Sequence, residues 1–156
     1  MQEKTRKTMS GVRSLTRLYV IQLMYRSKFD NKPLKKLLIE AKEKPEIHIS
    51  EDISLNSIDL EFLNELVNQT TTHMETIDQL IKEHISESWN FERFDTVMQC
   101  LLQLAVCELL YFDDIHANVI FNEYIEIAKA FFKKKEVSFV NGILHTISVQ
   151  IKSEKS

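Results

Sequence analysis

Apolar side chains recur at three- and four-residue intervals through most of the chain, the spacing of helices with one buried side. Val12, Leu15, Leu18, Tyr19, Ile21 and Tyr25 mark a first helix from Ser10 to about Lys28, with Ser10 placed to cap it. Arg13 and Arg17, four apart, fall on its remaining face. The stretch "DNKP" closes this helix, and Pro33 suits the first turn of a second one reaching about Glu43. Residues 44–56 read as a connection. A long helix follows, carrying Ile58, Phe62, Leu66, Met74, Ile77, Leu80, Ile81 and Ile85 on its apolar side. Ser57 and Glu61 form its approximate start, and "NQTTTH" is its weakest stretch and the expected place for a kink.

The second half continues the pattern. "ESWNFERF" reads as a short helical turn, and Asp95 is placed to cap a core helix with Val97, Leu101, Leu104, Ala105 and Leu109. A helix from about Asn118 to Phe132 buries Phe121, Tyr124, Ile125, Ala128 and Phe132. "KKK" interrupts, and a last helix from Val137 to about Lys152 carries Val137, Val140, Leu144, Ile147 and Ile151. Seven helical segments on short connections predict an all-α bundle.

Composition supports this and narrows the chemistry. Only two glycines and two prolines occur in 156 residues, too few for a fold of tight hairpins. The longest apolar stretch, Val97 to Phe112, contains Gln99, Gln103 and Glu108, so it predicts a core helix and no membrane span. No apolar run follows the basic N-terminus as in a signal peptide, and the expected compartment is the cytoplasm. Cys100 and Cys107 lie seven apart, about 10 Å along a helix, too far for a disulfide. None of the five histidines falls in a metal-ligand spacing, and Gly11 and Gly142 stand alone, so no metal, cofactor or phosphate-cradling loop is expected. Glu108 lies within an apolar stripe; a structural hydrogen bond is favoured there over a catalytic acid. Nothing in these patterns points to an enzyme.

The net charge of −3 conceals a segregation. Residues 1–42 hold 11 Lys/Arg and 3 Asp/Glu; residues 43–132 hold 4 and 18; residues 133–156 hold 5 and 2. Basic ends suit a polyanion and an acidic middle suits a basic partner, although solvated charged faces give the same counts.

Three stretches carry a resemblance. "AVCELLYFDDI", "VIFNEYIEIAKAFF" and "SFVNGIL" follow one another from Ala105 to Leu144. In order and spacing they are similar to the A-x-x-E-L, I-N-E…E-x-A-K and F-V-N-G stretches of the NusB family. "VRSLTRLYVIQLMY" resembles that family's first helix, which leads to V-Q-x-L-Y, and Trp89 with "FERF" resembles its W-x-x-x-R-L stretch. The resemblance implies a NusB-like fold of about seven helices in two packed three-helix bundles. Within a single helical domain over residues 10–156, the expected bundles cover about 10–85 and 89–152, after a basic arm at 1–9. It also implies a non-catalytic RNA-binding antitermination factor. Its partners would be boxA-type single-stranded RNA of nascent ribosomal transcripts, the small-subunit ribosomal protein NusE and the RNA polymerase antitermination complex. Some ribosomal-RNA methyltransferases begin with a similar domain, but this chain is too short for their catalytic part. A helical protein-interaction module with little RNA affinity is the alternative.

Site residues follow by the same route. Arg13 and Arg17 match arginines that meet the RNA backbone, with Arg6 and Lys7 in the arm before them. Gln22 and Tyr25 match the Gln and Tyr of the first-helix motif; Tyr25 could stack a base or be a core tyrosine with a wet hydroxyl. Ser14 and Leu15 stand where the family is often basic, and Met98, Gln99 and Gln103 replace charged residues before the core "LA". Lys133, Lys134 and Lys135 occupy a turn often acidic in the family, and could recover attraction for RNA or form an ordinary solvated run. Structural roles are expected for Glu108, Asn122, Glu123, Asn141 and Gly142, the glycine to let another helix cross closely.

Overall fold

The computed structural model describes residues 11–44, 53, 55–86 and 89–155. Among them are six α-helices and no strand: α1 (Val12–Asp30), α2 (Leu34–Glu43), α3 (Leu60–Glu83), α4 (Thr96–Tyr111), α5 (Ala117–Phe131) and α6 (Lys134–Lys155). The seventh expected segment is a single 3-10 turn, Phe91–Arg93, and another such turn, Leu55–Ser57, precedes α3. The chain divides into two compact units inside α3, between Thr72 and His73.

In the first unit α1 packs against α2. The buried side of α1 is broader than its apolar pattern suggests, running through Thr16, Arg17, Leu18, Tyr19, Val20, Ile21, Leu23 and Met24. Val12 and Tyr25, expected in the stripe, are exposed. Ser10 lies outside the described residues, and Gly11 is the N-cap, with no side-chain bond. At the other end Asn31 adopts the left-handed conformation (φ 53°), which asparagine tolerates better than most residues. The backbone N–H groups of Asn31 and Lys32 both donate to the Ser27 carbonyl. Pro33 stands at the N-cap of α2, its carbonyl accepting from Lys36 and Leu37.

The start of α3 differs from expectation. Ser57 belongs to the 3-10 turn, and Asp59 caps the helix, Oδ1 accepting from the Phe62 N–H at 3.0 Å. The Asp59 N–H donates to Thr16 Oγ1 at 2.9 Å, tying this start to α1. The weak stretch ends in a real kink: His73 has φ −116° and ψ 17°.

In the second unit α4, α5 and α6 pack on one another. From Cys100 to Leu109 every residue of α4 is buried, which is why this stretch is apolar all round. Asp95 caps it as the sequence predicts, Oδ1 accepting from Val97 at 2.9 Å and Met98 at 3.3 Å. The two glutamines on α4 are fasteners. Gln99 Nε2 donates to the carbonyls of Phe94 (2.8 Å) and Glu92 (3.2 Å), and Gln103 Nε2 donates to Asp78 Oδ1 (2.7 Å). The last helix begins at Lys134, three residues earlier than its apolar pattern indicates.

Candidate nucleic-acid interface

The arginines of α1 reach different environments. Arg13 is half exposed; its guanidinium carbon lies 4.4 Å from the Phe62 ring centroid and its Nε 3.9 Å from Asp59 Oδ2. Arg17 is 2% exposed, its guanidinium 5.1 Å from the same centroid. The pair does share a face, but that face is packed on α3 at Arg17. The expectation that both arginines present charge to phosphates is corrected: Arg17 is a core residue with an aliphatic stem and a ring-stacked head. Arg6 and Lys7 lie outside the described residues.

One to three turns further along α1 the surface opens. Gln22 is half-buried, its Oε1 enclosed without a hydrogen-bond partner. Tyr25 is 40% exposed, which sets aside the reading of a core tyrosine. It lies nearly parallel to Phe29, at an interplanar angle of 10° and a centroid separation of 6.3 Å. Phe29 is 77% exposed and belongs to none of the motifs. The available signal was an aromatic residue four beyond Tyr25, outside the core stripe. Arg26 sits beside them, its Nε 2.9 Å from Asp30 Oδ2.

The lysine turn is also only partly a turn. Lys133 precedes α6, whereas Lys134 and Lys135 form its first turn; all three are exposed. Three positive side chains thus stand at the N-terminal end of α6, where the helix dipole also favours an anion. Glu136 in the same turn offsets part of it.

The motif residues of the second unit form its frame. Glu108 and Tyr124, both fully buried, join α4 to α5: the tyrosine hydroxyl donates to the Glu108 carboxylate. This is the structural hydrogen bond expected of Glu108. Glu123 is half-buried, while Asn122 and Asn141 are exposed. The reason expected for Gly142 does not hold: it is exposed, and a Cβ built there meets nothing within 4 Å. Trp89 packs at 5.1 Å on Phe139 and at 6.0 Å, edge-on, to Phe94, which itself meets Phe91 and Phe139. One aromatic cluster thus gathers the tryptophan stretch and the "FVNG" helix.

Titratable groups in this frame are shifted by their neighbours. Lys82 Nζ lies 2.6 Å from Glu92 Oε1; the hydrogen bond holds the Glu92 carboxyl below its ordinary range and raises Lys82. Tyr111 stacks on His73, centroids 4.0 Å apart, and desolvation raises its hydroxyl. Burial does the same to Tyr19. Among the described residues, no helix is long and apolar enough to cross a membrane.

The model of the NusB family matches residues 14–148. The chain belongs to the NusB family. It is 34% identical over 132 residues to the transcription antitermination protein NusB of Halalkalibacterium halodurans, covering 85% of this chain and 90% of that one. To the protein of the same name from Caulobacter vibrioides it is 32% identical over 136 residues, covering 87% and 91%. Among solved structures, T. maritima NusB superimposes with a TM-score of 0.70 at 28% identity, covering 86% of this chain and 89% of that one. The NusB-like all-α fold expected from the motifs is therefore the fold observed. A chain from a crystal structure of antitermination factors NusB and NusE in complex with dsRNA has the same fold, with a TM-score of 0.69 at 24% identity, covering 88% of this chain and 96% of that one.

Proposed function

We propose that this NusB-family chain is an RNA-binding antitermination factor that engages boxA-type single-stranded RNA together with the ribosomal protein NusE. The observation that carries the reading is the family match over residues 14–148, joined to relatives named as transcription antitermination proteins. A fold neighbour crystallised with NusE and dsRNA supports NusE and an RNA as partners, while the single-stranded boxA element rests on the family resemblance. The proposed role is binding, with no reaction catalysed, in the compartment where an RNA polymerase works.

The chemistry within each unit agrees. In the first unit Arg13 supplies exposed positive charge for phosphates and Tyr25 an accessible ring for a base; in the second, Lys133, Lys134 and Lys135 supply exposed positive charge. Phosphate contacts give affinity without sequence preference, and stacking on the Tyr25 ring adds affinity for an unpaired base with little regard to which base it is.

The buried Arg17 favours the second reading, a protein-interaction module with little RNA affinity, because it removes one cation from the face. One titration separates the two. A boxA-containing RNA is measured at two salt concentrations, with and without NusE. The RNA-binding reading expects affinity that falls with salt and rises with NusE. NusE binding with no RNA affinity under either condition would establish the interaction module instead.

A further inference from the structure

Phe29 is the most exposed of the large apolar side chains on α1, and it is not a frayed end. The helix continues to Asp30, and the left-handed Asn31 closes the next step through the Ser27 carbonyl. The Ser27 hydroxyl adds a hydrogen bond to the Lys32 carbonyl. The last turn is therefore fixed from both sides of Phe29, and the ring stands in solvent at a defined place.

Tyr25 and Phe29 are one turn apart, about 6 Å along the axis. Their planes differ by only 10°, so two π-faces point the same way along one helix face. The chain that carries and follows them is rich in cations. Between positions 26 and 36 stand Arg26, Lys28, Lys32, Lys35 and Lys36 against a single acid, Asp30. Asp30 is spent on Arg26, and Lys32 Nζ lies 3.6 Å from Glu40 Oε1. Aromatic rings set among cations are the elements of a single-strand binding surface, in which bases stack and phosphates are attracted. A basic protein would be repelled by the same charges.

We propose that Phe29 is a second base-stacking platform, taking the nucleotide next to the one on Tyr25 and so extending the RNA track to the end of α1. The proposal rests on the RNA-binding reading above. Because both rings need unstacked bases, the track selects single-stranded RNA over a duplex. It adds no charge contact of its own, so its effect is separable from that of the lysines.

The test uses the full chain with NusE and a boxA-type oligonucleotide. Phe29→Ala should lower affinity by about fivefold to a hundredfold, the span typical of losing one stacked base. Phe29→Tyr should retain it. The salt slope should stay unchanged in both, since no cation is removed. Oligonucleotides with one abasic nucleotide at successive positions then locate the contact: at one position, wild type and Phe29→Ala should bind equally. Circular dichroism checks that helicity is intact. If Phe29→Ala binds like wild type while Arg13→Ala is weakened, the platform is wrong and the RNA reading stands. An equal loss on every abasic oligonucleotide would also overturn it, because no single base is then involved. If the variant loses NusE binding or self-association but keeps RNA, the face docks protein. If wild type binds no RNA at all, the platform falls together with the reading beneath it.

Discussion

The guanidinium of Arg17 lies over the ring of Phe62 and is sealed from solvent, while Arg13, one turn earlier, covers the same ring from a half-exposed position. Two side chains of one type on one helix face therefore do different work. Arg17→Ala should destabilise the fold by about 1–3 kcal/mol, because it empties a packed site. Arg13→Ala should cost under about 1 kcal/mol, as exposed ion pairs and cation–π contacts do, and should weaken RNA binding. Urea unfolding checks the first pair of values and RNA titration the last. Equal stability losses would show that Arg17 is no more integral than Arg13.

Tyr124 should be similarly sensitive. Tyr124→Phe keeps the ring and removes one donor from the buried Glu108 carboxylate. Stability should fall by about 1–3 kcal/mol, the cost of an under-satisfied buried group. Since the pair lies in the helical frame of the second unit, the variant should bind RNA normally below its own unfolding transition. An RNA defect with unchanged stability would move Glu108 and Tyr124 from frame to interface.

The Lys82–Glu92 pair has a pH signature. Glu92 is held below its ordinary value by the Lys82 hydrogen bond, so the stabilisation it contributes is full above the ordinary carboxylate range and is lost as pH falls through the lowered value. Lys82 is raised, so its contribution persists through neutral pH and is lost as pH rises through that raised value. Lys82→Met should return Glu92 toward the ordinary range in a side-chain NMR titration. A Glu92 titration curve that does not move would mean that the bond is absent in solution.

The three lysines at the start of α6 should act on RNA without regard to sequence. Changing all three to serine should lower affinity for boxA and for unrelated single strands by similar factors. The logarithmic salt slope should become shallower by up to about 2, for three released counterions on a single strand. Helicity should hold, because positive charge in a first turn opposes the helix dipole. A loss confined to boxA would show that the lysines read bases.

These cases mark what the pattern of residues could and could not reveal. Helices α1 to α6 were legible because apolar side chains repeat at a helical period, and Asp95 and the His73 kink were legible because capping and weak-helix residues act locally. The burial of Arg17 was not, since it depends on a ring 45 positions away, and an arginine opposite an apolar stripe ordinarily faces water. The early start of α6 was hidden by lysines that resemble a loop. Gly142 misled for a related reason: a mid-helix glycine suggests a close crossing, yet the space beside it is open. Within the candidate interface Tyr25 was legible through its motif, whereas Phe29 belongs to no motif and emerged only from its exposure.

The two thiols of α4 have a use that follows from their seclusion. Cys100 and Cys107 are both outside any disulfide and fully buried, so a thiol reagent can reach them only when the surrounding helices part. Their rate of modification is then a clock for opening of the second unit, readable without any substitution in the chain. Run in the presence of RNA or NusE, that clock would register any ligand that holds the helices together, even one bound far from the sulfur atoms.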